Sequence, residues 1–368
     1  MNAKILKKRQ GCRGIIDGKE VIIFSSNDYL GLSSHPEVIK AAIKTAERYG
    51  IGTGGAPETT GTTDLHVALS KAVAAFKSRD IAYLFPSGYQ ANIAIHHALA
   101  TEDTVFHIDE RHHPSAMDGA KIGKKTPIFR FNHNDLTDLE NNLKSNPGSR
   151  NVVSLPSVFT LDGDIAPLDK IADLKNKYDF ILILDEAHAT GCVGKTGRGL
   201  EEHLNLHGIA EFIMGSFSKA LGSQGGFVVY NRSSEKWLKS KFRQFVYSTS
   251  LSTVSVAAAL KALEVFTSDS SLYGNLLKSK SKIIEKCEES GVKLIVHDSM
   301  ILLAHCDNLF DAVGRLLEDG FVVIPTKAYI GDERHDCLRI TPMSLHTDED
   351  IASFVDSLGR NLVRKPDY

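Results

Sequence analysis

Short apolar runs alternate along the first two thirds of the chain with stretches whose apolar positions recur every three or four residues. Ile81–Phe85 precedes a helix-like Tyr89–Ala100, Thr104–Ile108 precedes Ser115–Ile122, and Asn151–Ser154 precedes Leu168–Lys177; Phe180–Leu184 and Phe212–Met214 follow. Runs this continuously apolar belong to strands covered on both faces, and their spacing with helices predicts βαβ units in a largely parallel sheet. The fold class is therefore α/β. Beyond about residue 230 helical periodicity takes over, from Glu235 to about Phe266 and from about Leu276 to Glu289, which predicts a helical bridge leaving the sheet. Val292–Val296, Ile301–Ala304, Phe321–Ile324 and Leu338–Thr341 then read as strands around a helix Asn308–Glu318, a smaller α+β domain. The expected organisation is an N-terminal arm and entrance segment (1–39), a large sheet domain (40–235), a helical bridge (236–290) and a small C-terminal domain (291–368). No repeat of fixed period appears, which argues against solenoids and propellers.

Composition narrows the function classes. The 368 residues are 42% hydrophobic and 24% charged, as expected of a globular chain with a sizeable core. With 43 Lys and Arg against 45 Asp and Glu the net charge is −2, so no overall positive field exists to hold nucleic acid or an anionic membrane. Cys12, Cys192, Cys287, Cys306 and Cys337 form an odd set without a Cys-x-x-Cys pair, which fits a reducing cytoplasm. The basic start lacks the apolar core of a signal peptide, and no apolar run is long enough to span a bilayer. A cytoplasmic chain without a membrane span is expected.

The segment F-I-L-I-L-D-E-A-H-A-T-G-C-V-G-K-T-G (180–197) sets Asp185-Glu186-Ala187-His188 at the end of an apolar run with Gly194-Lys195-Thr196 close behind, the vocabulary of a nucleic-acid-dependent NTPase. The spacing argues against it. A phosphate loop needs glycine at both ends of G-x-x-x-x-G-K-[ST], and Ala189 stands where the first should be. What remains is an aspartate at the end of a buried strand, where open α/β sheets bind ligands, able to hold a ribose, a metal or a protonated ring nitrogen. Beyond the next strand comes G-S-F-S-K-A-L-G-S-Q-G-G (215–226). A lone lysine in such a loop is ordinarily solvated, but Lys219 is hemmed by small residues that permit close backbone approach to a ligand. Lysine for a Schiff base and aspartate for a pyridine nitrogen are the pair that pyridoxal phosphate (PLP) chemistry requires. Ser87-Gly88-Tyr89, alone an ordinary turn and N-cap, opens a helix after a strand and so offers amides to a phosphate. His107, Asp109, His112 and His113 are clustered, but their pattern does not establish convergent ligands, and no metal is expected.

These residues lie within motifs that follow one another over nearly the whole chain: F-S-S-N-D-Y-L-G-L (24–32), G-T-G-G (52–55), F-P-S-G-Y-Q-A-N (85–92), H-P-S-A-M-D-G (113–119), F-N-H-N-D (131–135), V-F-T-L-D-G-D-I-A-P-L (158–168), D-E-A-H-A-T-G (185–191), S-F-S-K-A-L-G (216–222) and L-R-I-T (338–341). In this order they closely resemble the α-oxoamine synthase family of fold-type I PLP enzymes. The resemblance implies that Lys219 is the Schiff-base lysine, Asp185 the pyridinium partner, His188 a contact of the phenolic oxygen and His113 the group stacked on the ring. It implies that Gly88 and Tyr89 give amides to the phosphate next to Ser87, that Ser216 lies beside it, and that Thr160 stands near the cofactor oxygen. Ser248 and Thr249, after the basic stretch Lys236–Arg243, would reach the phosphate of a neighbouring subunit, which implies a homodimer. Arg339 would take the amino-acid carboxylate, and Asn27 and Tyr29 would line the substrate entrance.

The implied reaction is decarboxylative condensation of an α-amino acid with an acyl thioester, on CoA or a carrier protein, to an α-amino ketone. Segment 24–32 and the compact length most resemble the branch that joins L-alanine to a pimeloyl thioester in biotin synthesis. The alternatives are a synthase making another amino ketone and, further off, a PLP aminotransferase or aldolase. The chain departs from the family at Gly54-Gly55-Ala56-Pro57, where relatives read G-G-S-R, and at Leu155-Pro156, where they carry glutamate. It departs again at Ser250-Leu251-Ser252-Thr253 against S-L-P-P and at His112-His113-Pro114-Ser115 against N-H-A-S. These changes put the acyl-donor and entrance surfaces in question and leave the cofactor residues in place.

Overall fold

The computed structural model describes residues 5–123, 125–238, 242–330 and 333–362, and the chain divides into two compact units. The larger comprises Pro36–Phe159 and Ile165–Thr267; the smaller comprises the chain up to His35, Thr160–Asp164 and the chain from Ser268. The smaller unit opens with β1 (Leu6–Gln10), β2 (Arg13–Ile16) and β3 (Lys19–Ile23). The larger follows with α1 (Pro36–Tyr49), α2 (Asp64–Phe76), β4 (Ile81–Phe85), α3 (Gly88–Leu99), β5 (Thr104–Asp109), α4 (Pro114–Ile122), β6 (Ile128–Phe131), α5 (Leu136–Lys144), β7 (Arg150–Pro156), α6 (Leu168–Lys177), β8 (Ile181–Asp185), α7 (Leu200–His203), β9 (Phe212–Ser216), β10 (Gly226–Tyr230), α8 (Arg243–Val246) and α9 (Thr253–Ser268). The smaller resumes with α10 (Ser270–Glu289), β11 (Leu294–Val296), β12 (Leu302–His305), α11 (Leu309–Glu318), β13 (Phe321–Val322), β14 (Ile324–Ile330), β15 (Glu333–Ile340) and α12 (Asp348–Leu362).

The larger unit is built on a seven-stranded sheet of order β4-β10-β9-β8-β7-β5-β6. Strands β9, β8, β7, β5 and β6 run parallel, and β10 is antiparallel to both β9 and β4. Every residue of β5, β8, β9 and β10 is buried, as their continuous apolar runs require. Each of Ile181, Leu182, Ile183 and Leu184, at 3% exposure or less, stabilises the sheet by about 1.5–3 kcal/mol. The register sets Asp185 beside Pro156 of β7 and Met214 of β9, so the C-terminal ends of three central strands form one edge.

The smaller unit holds two four-stranded sheets, β1-β2-β3-β13 and β11-β12-β15-β14. Its core gathers Phe24, Leu302, Leu316, Leu338, Phe354 and their neighbours. Residues 6–23 are thus sheet strands, closed by the parallel pairing of β3 with β13, where the sequence suggested an arm.

Two further expectations are corrected. The helix expected from Glu235 to Phe266 is broken: a 3-10 helix covers Arg232–Trp237, α8 spans Arg243–Val246 and α9 begins at Thr253. The hydroxyl-rich run from Ser248 to Ser252 competes for backbone groups, and Ser250 N–H donates to Gly55 O at 3.0 Å, tying the break to another loop. Part of the basic stretch Lys236–Arg243 lies outside the described residues. The bridge 236–290 is also divided, because Asp269, extended at φ −123°, caps α10 through Ser271 N–H and separates α9 in the larger unit from α10 in the smaller. Among the described residues no helix is long and apolar enough to cross a membrane.

Candidate functional site

At the shared edge of the parallel strands, Asp185 is 6% exposed. One carboxylate oxygen accepts Ala187 N–H at 2.9 Å, the local turn that ends the strand, and the other accepts an amide N–H of Asn92 at 2.9 Å. Asn92, fully buried on α3, also donates to Ser115 Oγ at 3.0 Å, and Ser115 Oγ lies 2.7 Å from His113 Nδ1. His113 caps α4, with Pro114 at the first helical position fixing the backbone for it. Burial lowers the His113 pKa; Asp185 acts against this and the positive charge of Lys219 adds to it, which places all three within one electrostatic neighbourhood.

Lys219 sits on a tight turn closed by Gly222 N–H donating to Lys219 O at 2.9 Å, with Gly222 at φ +60°. Ser223 N–H to Phe217 O and Phe217 N–H to Gly225 O close the loop back onto β10. Ser216, at the end of β9, accepts Ser218 N–H at 3.1 Å. Ser87 caps α3 by accepting Gln90 N–H at 3.1 Å, so α3 starts at Gly88 with its free amides at the strand edge. A Cβ on Gly88 would lie 3.3 Å from Ser216 Cβ, and one on Gly226 would lie 2.6 Å from Gly88 Cα and Ser87 O. Backbone therefore passes over backbone beneath the helix start. Tyr89 presents its ring edge to His113, centroids 6.2 Å apart, and its hydroxyl donates to Asp118. His188 is buried at 5% exposure in the loop after β8. Ser248 is half-buried and Thr249 exposed on this unit.

A second cluster belongs to the smaller unit. Arg339, 4% exposed on β15, donates through Nε to the backbone oxygen of Thr160 at 2.9 Å and through Nη2 to Asn27 Oδ1 at 3.2 Å. Tyr29 OH donates to the same Asn27 oxygen at 3.3 Å. The backbone carbonyl of Thr160 thus belongs to this cluster.

Other singled-out residues are explained by structure. Glu186 pairs with Lys77 at 2.5 Å, both side chains 1% exposed, and accepts Leu200 N–H at 2.7 Å. Thr196 donates through N–H and hydroxyl to Glu202, so the G-K-T segment is a loop staple. His107 bonds Asn151, His112 bonds Ser154, and Asp109 accepts Asn134 N–H; among the described residues no group of three acidic, His or Cys side chains is placed to hold a metal. Asn92 and Ser115 were missed as site residues: both stand in the quoted motifs, but only the fold brings them to Asp185 and His113.

This set suits PLP: a lysine on a strand-end loop, a buried carboxylate for the ring nitrogen, an imidazole beside them and a glycine-opened helix for the phosphate. Together with the sheet it defines a PLP-dependent enzyme of fold type I. The family model described as aminotransferase class I and II matches residues 19–358. Over 357 residues the chain is 32% identical to a serine palmitoyltransferase of Bacteroides thetaiotaomicron, covering 96% of this chain and 90% of that one. Over 360 residues it is 34% identical to an 8-amino-7-oxononanoate synthase of Geobacter sulfurreducens, covering 95% and 91%. A solved serine palmitoyltransferase with PLP superposes with TM-score 0.92 at 28% identity, covering 98% of this chain and 92% of that one. The chain belongs to the aminotransferase class I and II family and, within it, to the α-oxoamine synthases.

Proposed function

We propose that this enzyme condenses L-alanine with an acyl thioester, of pimeloyl type on CoA or a carrier protein, to give an α-amino ketone, CO2 and free thiol. The observation that carries the reading is the buried Asp185, whose recorded hydrogen bonds come from the neutral N–H groups of Asn92 and Ala187, next to His113 in the field of Lys219. Bound PLP supplies an electron sink for a carbanion at the substrate Cα, provided its ring nitrogen stays protonated. Asp185 holds that proton. Lys219 would hold the cofactor, and its amine, once freed by the substrate, would serve as the general base for the Cα proton. Burial lowers the His113 pKa and so favours its neutral form; His113 would stack on the ring, and His188 would hold the phenolic oxygen. Gly88 and Tyr89 amides and the Ser87 and Ser216 hydroxyls take the phosphate. Arg339 binds the amino-acid carboxylate, with Asn27, Tyr29 and Thr160 fixing its guanidinium and the entrance; planar two-point binding suits arginine there. Carbon–carbon bond formation at the thioester carbonyl expels the thiol, and rupture of the carboxylate bond releases CO2. Ser248 and Thr249, on the surface, reach the neighbouring subunit's phosphate in a cytoplasmic homodimer.

A second reading within the same chemistry is serine with a long-chain acyl thioester, favoured by the serine palmitoyltransferases among the relatives and solved structures. A panel of alanine and serine against pimeloyl, octanoyl and palmitoyl thioesters, read by mass spectrometry of the amino ketone, separates the two. Alanine with pimeloyl thioester is expected to give the highest kcat/KM; serine with palmitoyl thioester leading the panel overturns the first reading in favour of the second.

A further inference from the structure

Asn92 stands at the centre of a buried hydrogen-bond network that connects the two groups proposed to face the cofactor ring. Its side-chain nitrogen lies 2.9 Å from Asp185 Oδ2 and 3.0 Å from Ser115 Oγ, and Ser115 Oγ lies 2.7 Å from His113 Nδ1. Its backbone oxygen lies 2.8 Å from His96 Nδ1, whose Nε2 is 2.8 Å from Ser154 Oγ, and the same hydroxyl lies 3.1 Å from His112 Nε2. Asn92, His96, Ser115 and Ser154 are each no more than 1% exposed.

We infer that Asn92 is a positioning residue for the PLP reaction, fixing the Asp185 carboxylate toward the ring nitrogen through one amide hydrogen while Ser115, accepting the other, holds His113. This rests on the reading of Asp185 and His113 given above. An amide can hold a carboxylate in place without supplying a competing charge, whereas a buried lysine or arginine at position 92 would neutralise Asp185 and weaken its hold on a pyridinium proton. The rest of the network keeps to the same rule, since burial pushes His96 and His112 down to about 3 and leaves both neutral across the working range. Hydrogen bonding to the ionised carboxylate also favours its charged form, so losing the amide moves the shared proton from the ring toward Asp185.

The test uses holoenzyme reconstituted with PLP labelled with 15N in the ring, comparing wild type, Asn92→Leu and Asp185→Asn. In Asn92→Leu the ring-nitrogen resonance is expected to move from the protonated toward the unprotonated position, with kcat falling roughly ten- to a hundredfold, the range for losing one hydrogen bond to a charged group. Where Asn92→Leu does not fold, Asn92→Ser, too short to bridge Asp185 and Ser115, is expected to show the same displacement. A wild-type ring resonance in a folded Asn92 variant, with Asp185→Asn displaced, overturns the role of Asn92 and leaves that of Asp185 standing. A wild-type resonance in Asp185→Asn as well overturns the assignment of Asp185 itself.

Discussion

Removing the amine of Lys77 tests whether Glu186, the second acid of the D-E-A-H segment, is structural. Lys77 and Glu186 are each 1% exposed and meet at 2.5 Å, while Lys77 also donates to Arg198 O at 2.6 Å and Glu186 accepts Leu200 N–H at 2.7 Å. Lys77→Met retains most of the stem and leaves a buried carboxylate with no cation, for which the cost is about 3–5 kcal/mol. Against a total stability of about 5–15 kcal/mol this is a large fraction. In Lys77→Met with Glu186→Gln the charge is gone and the glutamine oxygen can still accept Leu200 N–H. The remaining deficit is then chiefly the orphaned Arg198 carbonyl, about 1–3 kcal/mol. Urea titrations followed by circular dichroism, at matched PLP occupancy, give both values. The single variant should be less stable than the double by about 2 kcal/mol, on the difference of those ranges. A single variant within about 1 kcal/mol of wild type, the scale of an exposed pair, or a double variant no more stable than the single, refutes the reasoning.

Three other outcomes follow from named contacts. Gly226→Ala drives a Cβ to 2.6 Å from the backbone of Ser87 and Gly88, so PLP affinity by fluorescence titration should fall at least roughly tenfold, the loss of about one charge-assisted hydrogen bond to phosphate; unchanged affinity would show that the helix start does not hold the phosphate. His96 and His112 are held at about 3 when folded but titrate near 6.5 when unfolded, so the unfolded state takes up protons first as pH falls. Stability should therefore drop below about pH 6.5, by up to roughly 1.4 kcal/mol per pH unit for each histidine, and His112→Gln should show a shallower slope between pH 6.5 and 5 in denaturant titrations. Arg339→Lys keeps a charge but loses the planar fork, and should raise the amino-acid KM by roughly tenfold or more while leaving the acyl-thioester KM near wild type; an unchanged amino-acid KM removes Arg339 from the carboxylate site.

The strands that bear the candidate site were legible because their burial on both faces leaves continuous apolar runs, and Ile81–Phe85 coincides with its strand residue for residue. Asp185 and Lys219 were legible because each stands where such a run gives way to small or polar residues. Strand β10 was not read at all, and its antiparallel direction is set by its pairing with β4 and β9, which no local pattern encodes. The break between α8 and α9 escaped periodicity because it depends on competing hydroxyls and on a hydrogen bond from Ser250 to distant Gly55. Asn92 and Glu186 escaped for the same reason. Their partners, Asp185 and Lys77, lie 93 and 109 residues away, a distance no local pattern encodes.

In the proposed reaction, carbon–carbon bond formation and loss of the amino-acid carboxylate occur at one PLP site operated by Lys219. The most direct measurement follows carboxyl-13C alanine and an acyl thioester through the purified holoenzyme, scoring labelled CO2, free thiol and amino ketone together. All three are expected in equal amounts with wild type and none with Lys219→Ala. Conversion of alanine to pyruvate with the label retained and no thiol released would contradict it.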